Sequence, residues 1–452
     1  MQRGKCKYQM NHKAQAGSLL NSLFGNLALC IFQIALCIAV FSSLARADVG
    51  DFLSKFHPYI SVQGEYTDNI NLTPTNRKED WITTISAGLK FSTLPKGITS
   101  APSGIDLNYG LGLVFYATEK ENDYVSHAGE LNTWYTFGPR LTLRLRDVFI
   151  RSEELRERDY TTGALEEQFL LGRRRERSIY IRNVFEPSVE YRFGADDIFS
   201  INYRNNIYRN QIDRFQDSQE NFINPRLTYW FNIRNGVTLD YGLTLGDFEG
   251  SPNFIAHMAR GRYTYRFNPR TSTFVEYTFT RHDFDPPSTD YDVHNSGVGL
   301  EHTFSPTLTG RVQVGYFWQN PERGSSTGGF SYDVGLSQRA EMTTYTLSFQ
   351  GGYIEDYFTA ENLGFTKYHR AIATISHRPH QRVSLGISGT LERAEHASDR
   401  KDWIYGVRGT ASYEIFRWLS LSLEASHRGN DSNVDTVEYI ENRVILRLNA
   451  TL

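Results

Sequence analysis

GRYTYRFNPRTSTFVEYTFTR, residues Gly261–Arg281, decides the fold. Side chains alternate across an extended strand, so Tyr263, Tyr265 and Phe267 share one face while Arg262, Thr264 and Arg266 share the other. Asn268-Pro269-Arg270 reads as a tight turn, because proline fixes φ and cannot donate to a ladder. The return run repeats the pattern, with Thr273, Val275, Tyr277 and Phe279 opposite Phe274, Glu276, Thr278 and Thr280. One apolar face, one mostly polar face and aromatics beside the turn describe a hairpin that crosses a membrane. A soluble two-sheet sandwich also alternates; the rest of the chain separates the two.

Mean hydropathy over the 452 residues is −0.46, and 14% of the residues are aromatic. A chain this polar enters a bilayer only if it hides its apolar groups at every second position, which excludes a bundle of apolar helices. The first 47 residues read as a targeting segment: Arg3, Lys5, Lys7 and Lys13, an apolar run at Leu27–Val40, and Ala45-Arg46-Ala47 before Asp48. All three cysteines, Cys6, Cys30 and Cys37, fall within it, so residues 48–452 carry none, and disulfides, thiolate metal sites and cysteine catalysis go together. Residues 48–452 then hold 43 Lys and Arg against 51 Asp and Glu, a net charge of −8.

Outward from the central hairpin the same plan recurs. His57–Thr67 places Ile60, Val62, Gly64 and Tyr66 on one face, and Trp81–Thr93 places Trp81, Ile85, Ala87, Leu89 and Phe91 in phase. Short turns such as Gly138–Arg140, Asn268–Arg270 and Ser305–Thr307 alternate with longer polar connections such as Ser152–Arg177, His282–Tyr291 and Glu355–Lys367. Counting the runs predicts an all-β fold: a single antiparallel up-and-down transmembrane β-barrel of about 20 strands, within 18–22, over residues 48–452. An even count puts both ends of the barrel on the periplasmic side. The expected location is the outer membrane of a Gram-negative cell, with lipid, lipopolysaccharide and the barrel-assembly machinery as partners. The alternating end, Val444, Leu446, Leu448 and Ala450, resembles the signal such barrels present to that machinery, although it closes on Leu452 rather than Phe.

Glu65–Phe91, EYTDNINLTPTNRKEDWITTISAGLKF, carries a more particular likeness. Tyr66, Asp68, Asn69, Ile70, Thr73 and Pro74 match a Tyr-x-Asp-Asn-Ile/Val-x-x-Thr-Pro pattern, and the stretch resembles the opening hairpin of the outer-membrane beta-barrel porin 2 family. That resemblance implies an exopolysaccharide synthesis and export setting, with periplasmic polysaccharide-export proteins as partners. Read as residues alone, Asp68-Asn69 is a turn former leaving a strand.

A barrel this wide is not filled by its own side chains, so its inward residues are the functional surface unless a loop blocks it. The phase of the apolar face points Arg144, Arg146, Arg182, Arg192, Arg204, Arg226, Arg260, Arg262 and Arg266 inward as a pore lining. Glu186, Glu190, Asp240 and Glu276 are the carboxylates expected to balance them. Later runs offer hydroxyls: Ser331, Ser348, Ser384, Ser388, Thr410, Ser412, Ser420 and Ser422. The expectation is one basic wall, an anion preference and one bland wall. Trp134, Tyr208, Trp230 and Phe317 share the inward phase and are candidates for stacking on sugar rings; their other reading is as rim aromatics.

The loop Ser152–Arg177 mixes both signs and reads either as a pore insertion or as a surface loop. Asp283, Asp285, Asp290 and Asp292 read as an acidic surface loop or, less readily, as oxygen ligands for a divalent cation. No catalytic constellation, metal-ligand spacing, phosphate loop or nucleic-acid signature is present, and no cofactor is expected. Three functions follow: a channel serving exopolysaccharide export, a general diffusion porin for small, preferentially anionic solutes, and, third, an outer-membrane enzyme.

Overall fold

The computed structural model describes residues 54–94, 101–155, 177–212, 215–359 and 362–451. Residues 1–47, read from the sequence as a targeting segment, and most of the loop 152–177 lie outside them. Twenty strands follow in order: β1 (Phe56–Thr67), β2 (Asp80–Ser92), β3 (Ser103–Tyr116), β4 (Tyr124–Phe137), β5 (Leu141–Ser152), β6 (Tyr180–Arg192), β7 (Ile198–Asn210), β8 (Ser218–Trp230), β9 (Asn235–Phe248) and β10 (Phe254–Asn268). The second half is β11 (Thr271–Phe284), β12 (Tyr291–Ser305), β13 (Leu308–Pro321), β14 (Thr327–Arg339), β15 (Thr343–Asp356), β16 (Gly364–His380), β17 (Val383–His396), β18 (Lys401–Phe416), β19 (Leu419–Ser432) and β20 (Tyr439–Thr451). Each strand pairs antiparallel with its neighbours in sequence, and β1 pairs with β20, so the sheet closes on itself with no free edge.

The hairpin at Gly261–Arg281 is β10 and β11. Arg262 stands opposite Glu276 and Tyr263 opposite Val275, so the two faces keep the alternation read from the sequence. A bulge between Arg266 and Asn268 tightens the turn, and the Asn268 side chain accepts the Arg270 backbone N–H at 2.8 Å. Outward residues meet the bilayer: Ile60 is 60% exposed and Val275 56%.

Two aromatic belts bound this apolar band. The short-turn end carries Tyr135–Phe137, Tyr229–Phe231, Tyr265–Phe267 and Phe416–Trp418 ring pairs. Nearer the long loops, Tyr109, Tyr241 and Tyr277 hydroxyls meet Nδ1 of His127, His257 and His294 on the next strand at 2.7 Å, and the Tyr332 hydroxyl of β14 meets Nδ1 of His369 on β16 at 3.1 Å, reaching past β15. Histidines scattered along the sequence therefore line up on the outward face. Proline marks two weak places in the wall: pairing lapses at Glu186-Pro187 between β6 and β7, and at Asn224-Pro225 between β8 and β9.

Candidate functional site

All nine predicted arginines lie on the inward face, and the structure corrects how they are balanced. Arg146 reaches Glu186 at 2.9 Å and Glu130 at 3.4 Å. Arg192 pairs with Glu190 at 2.9 Å, and Arg204 with Glu220 at 2.6 Å. Arg226 and Arg260 flank Asp240, Arg262 meets Glu301 at 3.2 Å, and Arg266 meets Asp196 at 2.8 Å. The sequence reading omitted Glu130, Glu220 and Glu301, although all three share the inward phase; Asp196 reaches in from a turn. The wall is largely an arginine–carboxylate ladder; Arg182 is held instead by Asn206 and the Phe358 carbonyl, and Arg144 has no carboxylate partner among the described residues.

The opposite wall is also not bland. Apart from Ser331, its hydroxyls occupy the short-turn half, while Arg408–Glu424 at 2.7 Å crosses the middle and the long-loop half carries Arg370–Glu392 at 2.8 Å and Arg428–Glu441 at 2.7 Å. Arg400 and His396 both reach Asp402, at 2.6 and 3.1 Å. The acidic run after β11 is likewise occupied: Arg281 sits among Asp283, Asp290, Asp292 and Glu322, so a cation of this chain fills the position a divalent ion would need. Among the described residues no cluster of His, Asp and Glu is arranged to hold a metal.

The lumen differs between its two ends. Toward the long loops, taken as extracellular, inward residues are buried on most strands, including Thr67, Asp80, Tyr116, Ile150, Tyr180, Tyr208, Glu220, Phe254, His282, Tyr291, Ala394 and Glu441. Toward the short turns the inward arginines and serines are mostly open or half-open. Loops folded inward produce the difference. Tyr357 and Phe358, just past β15, pack on Phe248, Phe254 and Phe284 of β9, β10 and β11, with ring centroids 5.0–5.8 Å apart. Tyr291 of β12 donates to Glu355 at 3.0 Å and meets the Tyr357 hydroxyl at 2.6 Å.

The Arg182 guanidinium donates to the Phe358 carbonyl, to Asn206 at 3.1 Å, and lies over the Tyr208 ring. Arg182 belongs to β6, and the Phe358 segment leads into β16, ten strands away in a ring of twenty. This segment is a strap across the whole lumen. Burying a Phe of this kind contributes about 2 kcal/mol, and a charged donor on a buried carbonyl about 1.5–3 kcal/mol.

A second fold-in comes from the other side and explains the Tyr-x-Asp-Asn pattern. Asp68 accepts both the backbone N–H and the side-chain amide of Asn442, at 2.7 and 2.6 Å. Asn69 donates to the carbonyls of Thr73 and Ile440 at 2.8 and 3.0 Å and accepts the Thr73 N–H. Ile70 is buried against Ile82, Val114 and Tyr116, while Leu72 packs on Leu155 and Tyr439. The motif is a clasp between the first and last strands, a larger role than a turn leaving a strand.

The four stacking candidates point inward but lie at opposite ends. Tyr208 and Phe317 are each 1% exposed, packed in the extracellular aromatic layer, and offer no open ring face. Trp230 sits beside its turn, with Gly236 beneath it and the Arg266 guanidinium 3.5 Å from its ring centroid. Trp134 lies flat over Gly104, donates Nε1–H to the Ala101 carbonyl at 2.9 Å, and lines a recess of about 620 Å³ in the wall between β4 and β8. The strap residues Glu355, Tyr357 and Phe358 were not singled out from the sequence. Their signal was an adjacent aromatic pair, Tyr357-Phe358, inside the connection Glu355–Lys367.

Comparison with known proteins agrees with the architecture. The family model described as Putative beta-barrel porin 2 matches residues 252–452. No curated protein matches the chain. Among solved structures, the siderophore receptor PirA from Pseudomonas aeruginosa is similar over 88% of this chain and 80% of its own, with 8% identity and a TM-score of 0.51. The ferric enterobactin receptor PfeA is similar over 88% and 81%, again with 8% identity and a TM-score of 0.51. Pseudomonas aeruginosa OpdK, solved with vanillate, is similar over 89% and 100%, with 10% identity and a TM-score of 0.43. At such identities the likeness is one of fold: the chain is built as an outer-membrane barrel, and its second half is porin-like.

Proposed function

We propose that this protein is an outer-membrane channel, closed at rest on its extracellular side by the strap after β15 and serving the export of an exopolysaccharide. The observation that carries the reading is the asymmetry of the lumen. Its periplasmic half is open and lined by arginines, hydroxyls and the rings of Trp134 and Trp230, whereas its extracellular half is packed and latched. A solute entering from the periplasm meets the open half first, which supports outward passage. The Trp134 indole face beside Asn132 suits a sugar, which presents flat C–H surfaces and exchangeable hydroxyls. Periplasmic export proteins would then dock at the short-turn rim.

A general diffusion porin for small anions is the second reading, favoured by Arg144, an inward arginine without a carboxylate partner among the described residues. In planar bilayers the wild-type barrel is expected to be mostly closed, and replacing Tyr357–Leu363 with a glycine–serine link should open it. A wild-type pore already open and indifferent to that replacement overturns the strap as a gate. Deleting the gene and measuring surface polysaccharide separates the two solutes, since a diffusion porin leaves the polysaccharide unchanged.

A further inference from the structure

We infer that the wall recess over Trp134 is a binding site for a carboxylate carried beside a flat ring. This rests on the channel reading only for its consequence, since the site is a property of the closed protein. Trp134 is held flat by its bond to Ala101 and its seat on Gly104, so the ring is positioned before any ligand arrives. Arg144 stands directly opposite it across the β4–β5 ladder and is exposed.

The nearby carboxylates are already engaged: Arg146 holds Glu186 and Glu130, and Asn132 donates to Glu130 at 3.1 Å. Arg204, which also lines the recess, is held by Glu220. Arg144 is therefore the one guanidinium lining the recess that no carboxylate among the described residues holds, a planar fork suited to a single carboxylate. Ser188 and Asn202 add neutral hydrogen-bonding groups, and Phe222 closes the far side with a second apolar ring. Pro187 interrupts pairing between β6 and β7 there, and Leu145, Pro187 and Tyr203 join the lining, so the recess reaches into the wall itself. Its volume of about 620 Å³ admits a ring with substituents.

Two sources share this chemistry: uronic-acid units of an acidic polysaccharide and free aromatic carboxylates. The test is equilibrium binding by calorimetry to the full barrel folded in detergent, with trigalacturonate, its neutral galactose counterpart and benzoate as probes. Heat-modifiable gel migration reports folding of each variant. At least one charged probe should bind roughly tenfold or more tightly than the neutral trimer, which is the gain expected of a charge-assisted bidentate pair. Arg144→Gln should abolish that preference, and Arg144→Lys, which keeps the charge and loses the fork, should retain part of it. Trp134→Ala should weaken charged and neutral trimers alike.

Preference for trigalacturonate assigns the recess to acidic polysaccharide, and preference for benzoate assigns it to aromatic carboxylates. Binding of neither charged probe, or binding indifferent to both Arg144 substitutions, overturns the inference. Because the measurement needs no current, a silent channel that still binds would remove the transport reading and leave the site standing.

Discussion

Arg182 and Arg266 both point into the barrel from its arginine-rich wall, yet their surroundings differ in kind. Arg182 is 2% exposed, gripping a carbonyl that belongs to a segment from the opposite wall. Arg266 lies at the periplasmic rim across Trp230, with a side chain 38% exposed and paired to the half-exposed Asp196. The same residue type is a latch at one end and a solvated lining at the other. What differs is water. Removed from it, each ion pair and hydrogen bond fixes a shape; left in it, each is screened and tunes only the local potential.

The sharpest way to break this contrast is to cut one ion pair at each end. Glu392→Ala removes the partner of Arg370 where the two side chains are 0% and 8% exposed, and should cost about 3–5 kcal/mol. Asp196→Ala at the rim should cost under about 1 kcal/mol. Denaturant titration of the detergent-folded barrels measures both, and equal losses would erase the distinction between the ends. Next in size is the latch. Arg182→Ala removes the bonds to Phe358 and Asn206 and should shift the closed state by about 2 kcal/mol, roughly thirtyfold in the closed-to-open ratio. Single-channel open probability reports it, and an unchanged value would place the gate elsewhere.

A smaller effect comes from alkali. Tyr357 lies in the strap, and its phenol is pushed above the ordinary value of 10.0, first by burial and then by the charge of Glu355. A raised acid constant means the closed state holds this proton more tightly than the open one. Closure is therefore unaffected below the ordinary phenol value and is lost progressively above it. Opening should rise by roughly tenfold at about pH 11, and Tyr357→Phe should flatten that rise. The Tyr291 hydroxyl meets that of Tyr357, so a rise that persists undiminished in the variant assigns the titration to Tyr291.

Barrel, strand number, phase and inward arginines were legible because each depends on local alternation. Val275 and Arg262 announce their faces within a few residues of themselves. The ion-pair ladder was legible only in part. Glu220 and Glu301 lie in the correct phase, but which arginine each meets depends on the register between strands and on side-chain reach. The strap was not legible, since Tyr357 and Phe358 reveal their partners only after the chain has closed into a ring and carried β15 opposite β6. Tyr208 and Phe317 failed as an open stacking surface for the same reason: phase places a side chain inside without saying what else is there.

The clasp at Asp68 and Asn69 bears on how the molecule comes into being. It stitches residues near the start of the barrel to Ile440 and Asn442, a separation in sequence of more than 370 residues. Local hairpins such as β10–β11 form across a three-residue turn at small entropic cost, whereas the β1–β20 seam closes the longest loop in the chain. Nineteen hairpin-type pairings therefore precede the last, and until it forms β1 and β20 are two unpaired edges in a bilayer that cannot hydrogen-bond them. Side-chain amides and a carboxylate placed at the mouth of that seam give the final register a fixed point from which the remaining pairs can zip.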